Sequence, residues 1–175
     1  MRRGLTSQLS KLLLIPLLCV CAPSVSAQNQ GSLGSDEPAR YLAQIKGLYL
    51  TDNERDALLA HSNDLLNTYA LRAAYQVGQP DPHDLNYQLS VGGPGELRIR
   101  EEIRHQNGTV AVSNRTLSVY GVDPYLHYQC PAQGLVCVVR SPADGSPMLT
   151  LLRDPKGAEE LAKALSFLIR NLQKG

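Results

Sequence analysis

What this chain lacks narrows its chemistry first. It has no Gly-x-Ser-x-Gly elbow, no His-Glu-x-x-His, no Walker loop and no dinucleotide-binding glycine fingerprint. The catalytic machineries that announce themselves by spacing are therefore missing. Four histidines (His61, His83, His105, His127) show no metal-ligand spacing, and no cysteine pair has the two-residue gap of a redox motif or zinc knuckle. No cofactor and no metal are expected. Lysine plus arginine number 17 against 16 acidic residues, a balance that gives no field for nucleic acid. No repeat, charge block or low-complexity tail is present, and phenylalanine occurs once, at Phe167. The apolar run Leu12 to Val20 is cut by Pro16 and falls short of the roughly 20 residues a membrane span needs.

That run reads instead as part of an export signal. Arg2, Arg3 and Lys11 precede or open it, and Val25-Ser26-Ala27 supplies a cleavage site after Ala27. Leu18 and Val20 stand immediately before Cys19 and Cys21, where a lipid-attachment site wants a small residue. Residues 28–175 then hold 14 basic and 16 acidic side chains, net −2, and only Cys130 and Cys137 remain. In an oxidising compartment such a pair joins. A loop this short adds about 2.5 kcal/mol in the chain-entropy model, so the pair reads as a staple rather than a redox centre. The expected location is periplasmic or secreted, with no transmembrane span after cleavage.

Residues 28–35 read as a flexible lead, and 36–175 as a single α+β domain. Within it, 36–80 is a helical pair, 85–152 an antiparallel sheet of six or seven strands or a partly open barrel, and 155–173 an amphipathic helix. Tyr41, Leu42, Ile45, Leu48 and Tyr49 share one helical face, with Asp36 as cap and Pro38 in the first turn. A second helix is expected from Glu54 to Val77, striped by Leu58, Leu59, Leu65, Leu66, Tyr69 and Ala73. Asp81-Pro82-His83-Asp84 reads as a proline turn, and Gly92-Gly93-Pro94-Gly95 as another. Asn107-Gly108 is a strong hairpin signal. With a two-residue loop, Ile103 falls opposite Val112 and Arg100 opposite Arg115, and a bulge at Ser113-Asn114 is needed to restore the alternation. Tyr125 to Arg140 forms a second hairpin stapled by its cysteines. Met148 to Leu152 is the last strand. Asp154-Pro155 opens the final helix, striped by Leu161, Leu165, Leu168, Ile169 and Leu172. If the bulge splits its strand, residues 85–173 hold seven strands and one helix. That order resembles the pleckstrin-homology domain in topology, and implies a barrel but no ligand.

Two features of the first hairpin are candidate sites. Arg98, Arg100 and Arg104, with Arg115, make a basic stripe for an anionic envelope polymer; the competing reading is a solvated outer face containing Glu102. Glu101 shares parity with Leu97, Ile99 and Ile103, which marks either a rim carboxylate or an acid/base group. His105 and His127 lie in strand-like runs and could meet across a sheet. Phe167 lies off its helix's stripe and marks a partner contact or packing under a loop. Asn107-Gly-Thr and Asn114-Arg-Thr are glycosylation sequons, but Asn107 is explained by its turn. The expectation is a non-catalytic exported binding or interaction module of a bacterial cell envelope, its partner an envelope protein or anionic polymer. The alternative is a small envelope hydrolase using Glu101 or a sheet histidine.

Overall fold

The computed structural model describes residues 36–175; the expected signal sequence and lead lie outside them. Helix α1 spans Asp36–Leu48, with Asp36 and Glu37 in its first turn and Lys46 in its last, signs that suit the helix dipole. Helix α2 spans Glu54–Thr68. Asn53 Oδ1 caps it, accepting from the backbone N–H of Arg55 at 2.9 Å and of Asp56 at 3.3 Å. Helix α3 spans Pro155–Gln173, with Pro155 at its start and Asp154 Oδ1 accepting from Gly157 N–H at 2.8 Å.

Between the helices lie two three-stranded antiparallel sheets. The first orders β1 (His83–Val91), β2 (Glu96–His105) and β3 (Val110–Ser118) side by side; the second orders β4 (Tyr128–Gln129), β5 (Val136–Arg140) and β6 (Pro147–Leu152). The expected single sheet of six or seven strands, and the barrel, are thus corrected. The loss of the seventh strand traces to one turn. The β2–β3 loop has three residues, not two: His105 N–H donates to Thr109 O at 2.9 Å, and Gly108, at φ +86°, donates to His105 O at 3.0 Å. The extra residue shifts the register by one, which changes every facing pair. Ile103 stands opposite Ala111, Glu102 opposite Val112, and Ile99, not Arg100, opposite Arg115. Leu117 then meets Leu97 in phase, so no bulge interrupts β3 and no seventh strand exists among the described residues.

The core gathers on α3. Leu161, Leu165, Leu168, Ile169 and Leu172 are all buried, as the stripe predicts. They pack with Leu58 and Leu66 of α2, Leu89, Leu97 and Ile99 of the first sheet, and Val139, Leu149 and Leu151 of the second in one cluster. Among the described residues no helix is long and apolar enough to cross a membrane.

Helix α2 stops at Thr68, nine residues before the expected Val77, because tertiary partners claim the chain beyond it. Tyr69 O accepts from Leu152 N–H at 2.8 Å, Leu71 O from Leu85 N–H at 2.8 Å, and Asp84 Oδ1 from Ala73 N–H at 2.8 Å. The region read as one helical pair to residue 80 therefore ends in a strand bridge and a 3₁₀ turn, Ala73–Tyr75. The Tyr69 ring lies where a side chain at Gly157 would go: a Cβ there would sit 2.5 Å from it. Gly157→Ala is therefore expected to lower stability by about 1–3 kcal/mol, read from urea unfolding midpoints. Gly47→Ala, which meets nothing within 4 Å, should leave stability equal or slightly higher.

The second hairpin is stapled as expected: Cys130 and Cys137 form a disulfide with Cα atoms 4.3 Å apart, and Cys137 is fully buried. Its first strand is shorter than its sequence suggests. Arg140 N–H still reaches His127 O at 2.9 Å, but Leu126 N–H donates to Ser166 Oγ on α3 at 3.0 Å. That bond draws the Tyr125–Leu126 segment off the sheet and onto the last helix.

Candidate functional site

The departure of Tyr125–Leu126 from the sheet opens a groove of about 590 Å³. Tyr125 and Tyr128 form one wall, Lys163, Phe167 and Arg170 of α3 the floor, and Glu37 and Pro38 of α1 the far rim. Phe167 is fixed by stacking on Tyr41, ring centres 5.0 Å apart, and the Arg170 guanidinium lies 5.7 Å from its centre. Lys163 sits 4.4 Å above the Tyr41 ring and 3.6 Å from a Glu37 carboxylate oxygen. Tyr125 is 66 % exposed, its edge against His127 at 5.6 Å. Ser166, also in the lining, donates to Ala162 O at 2.6 Å while accepting from Leu126; its hydroxyl holds the wall in place. Aromatic rings beside Arg170, with Lys163 paired to Glu37 and Glu159 also in the lining, suit a flat or apolar group that brings a negative charge to Arg170. Phe167, off the stripe, was the groove's only mark in the sequence. Tyr125 and Tyr128 read there as ordinary strand residues.

The arginine stripe divides. Arg98, Arg100 and Arg104 share the outer face of β2 but are matched by acids. Glu102 receives Arg100 and Arg104 at 3.0 Å each, and their hydrogen bonds hold its carboxyl below the usual range. Arg98 lies 4.0 Å from Glu96. Arg115 is on the opposite face. Its Nη2 lies 3.3 Å from Glu101 and donates to Met148 O at 2.8 Å.

Glu101 is a rim carboxylate with partners on both neighbouring strands, β1 and β3. Ser113 Oγ donates to it at 3.4 Å, and it hydrogen-bonds the Tyr87 hydroxyl, whose pKa is pushed far up by burial first and by Glu101 second. Tyr87 also hydrogen-bonds Thr150 on β6. The cluster stitches the first sheet to the second, and no histidine belongs to it. His105 meets His83 rather than His127, ring centres 5.8 Å apart. Both approach Asp81, His83 Nδ1 at 2.8 Å from its carbonyl and His105 Nδ1 at 3.2 Å from its carboxylate. Among the described residues no three His, Cys, Asp or Glu side chains are arranged to hold a metal ion.

A second polar cluster, not legible in the sequence, joins the three helices. Tyr41 donates to Glu160 Oε1 at 2.9 Å, and His61 Nε2 lies 3.1 Å from the same oxygen. Tyr49 donates to Asp64 at 2.7 Å and lies 3.2 Å from His61 Nδ1. Desolvation, then the Asp64 bond, pushes the Tyr49 phenol up to about 12, and Tyr41 is raised further for the same kind of reason. The folded chain thus holds neutral phenols that the unfolded chain ionises near 10. Their contribution is complete below that pH and is lost as pH rises towards 12. Urea midpoints are expected to fall steadily above pH 10, and Tyr49→Phe to make that fall shallower.

No protein-family model, curated protein or solved structure matches this chain.

Proposed function

We propose that the chain is a non-catalytic binding module exported to the periplasm of a bacterial cell envelope, with the Phe167 groove as its ligand site. The groove carries the reading: it is walled by aromatic rings, Lys163 and Arg170 stand beside them, and its one serine, Ser166, is committed to holding Leu126. Export is supported by the basic-then-apolar opening, the small residues ending at Ala27 and the closed disulfide. The occupant suited to these walls is an envelope protein segment bearing an aromatic or long apolar side chain next to a carboxylate. An anionic polymer on Arg98, Arg100 and Arg104 is the weaker arrangement, because Glu96 and Glu102 already answer those charges. Hydrolysis through Glu101 is disfavoured by its commitment to Arg115, Ser113 and Tyr87.

Residues 28–175, purified with the disulfide intact, should release no product from peptidoglycan or lipopolysaccharide fractions. Turnover that disappears in Glu101→Gln would overturn the non-catalytic reading. Intact mass of the exported protein should begin at Gln28 and lack the two hydrogens of free thiols at Cys130 and Cys137.

A further inference from the structure

The edges of the first sheet are treated differently. On β1, Leu85 N–H is taken by Leu71 O at 2.8 Å. Asn63 imitates a neighbouring strand at Leu89: its Oδ1 accepts from Leu89 N–H at 2.8 Å and its Nδ2 donates to Leu89 O at 3.1 Å. The outer edge of β3 has no such cover. His105 N–H bonds Thr109 O, and Val119 N–H bonds Gly95 O, so the odd-numbered residues of this strand face β2. The N–H and C=O groups of Val110, Val112, Asn114, Thr116 and Ser118 point away, and among the described residues none has a protein partner. Exposed edges are ordinarily guarded by lysine, proline or a bulge. Here there is none: β3 runs nine residues in unbroken register, eight of them exposed. Its single charge, Arg115, is turned back to Glu101 and Met148 O. Val110 and Val112 are 43 % and 49 % exposed beside this edge.

We propose that β3 pairs antiparallel with β3 of a second copy of this chain, two-fold about Asn114, to make one continuous six-stranded sheet. The charges one strand in, each already paired within its own chain, distinguish one register of that pairing from its neighbours. Glu96, Arg98, Arg100, Glu102 and Arg104 stand on the outer face of β2, opposite Ser118, Thr116, Asn114, Val112 and Val110. Centred on Asn114, the pairing aligns Val110 with Ser118, Val112 with Thr116 and Asn114 with itself. The rows then bring Glu96 into line with Arg104 of the second copy, and Arg98 with its Glu102, each twice; only Arg100 meets its own kind. Centring one residue earlier aligns Arg98 with Arg104. Centring one residue later aligns Glu96 with Glu102 and Arg98 with Arg100. The charge-matched register is also the one in which all of β3 overlaps. It exchanges about ten backbone hydrogen bonds, two per hydrogen-bonded pair. The charged pairs are three strand spacings apart, about 14 Å, and lean across the small residues of the edge. At that separation salt screens them, so they bias the register and add little affinity; the continuous, uncovered edge of β3 carries the association.

The test uses residues 28–175 with the disulfide formed. Sedimentation from 5 to 200 µM (about the range in which so small an interface associates) should show a mass rising to twice the monomer. Val112→Pro removes an outward N–H and leaves the β2 ladder intact; it should be monomeric throughout, with an unchanged circular dichroism spectrum. Asn114→Cys should oxidise to a covalent dimer, whereas Val110→Cys alone should not. A wild-type chain monomeric at every concentration would overturn the proposal. So would a dimer that survives in folded Val112→Pro, or cross-linking through Val110→Cys without Asn114→Cys. Should Val112→Pro fail to fold, the two cysteine variants decide alone.

Discussion

Leu165→Ala is expected to cost about 3–5 kcal/mol of stability. Leu165 is fully buried at the centre of α3, in the cluster that joins α2 and both sheets. Truncation removes the transfer energy of its side chain and leaves a cavity that three separate elements would have to close together. Total stability for a domain of this size is about 5–15 kcal/mol, so the change takes a large fraction of it. Thermal unfolding should move down by roughly 10–15 °C. Leu48→Ala, at a position 62 % exposed, should shift unfolding by less than about 0.5 kcal/mol. Equal losses at the two positions would show that α3 is not the organising element.

Cys130→Ser is expected to lower stability by about 2.5 kcal/mol, through the freedom regained by the unfolded loop. The partner, Cys137, lies fully buried in β5, where a free thiol packs as a small apolar group. Reductant should therefore lower the urea midpoint of the native chain towards that of the variant and leave the variant unmoved. The groove wall rests on the Leu126–Ser166 bond rather than on the disulfide, so the folded variant should bind as the native chain does. A fully folded Cys130→Ser protein without binding would show that the cysteines belong to the site.

The last helix was the most legible part of the sequence. Asp154-Pro155 sets its start, and five apolar residues at helical spacing declare one face, all of them buried. Helix α2 shows where local pattern yields to tertiary contact: Tyr69 and Ala73 continue its period, but Leu152 and Asp84 take their backbone groups. The first hairpin shows how little separates two registers. Asn107-Gly108 marks the turn, yet whether the loop holds two residues or three depends on the His105–Thr109 bond, which no short-range signal encodes. That one residue moved Arg115 away from the other arginines and onto Glu101. The groove was legible only as an oddity, Phe167 standing off its stripe, because its walls come from segments far apart in sequence. The Tyr49–His61–Glu160–Tyr41 chain likewise draws on three helices.

The groove, rather than the arginine face, is the centre of the functional reading. It is tested most directly by placing the photo-crosslinking residue benzoylphenylalanine at Tyr125 in one set of cells and at Arg104 in another. Irradiation should give an adduct to a second envelope protein from position 125, lost when Phe167→Ala is added to the same chain. An adduct to a different protein from position 104, with none from position 125, would contradict the account and place binding on the outer face of the first sheet.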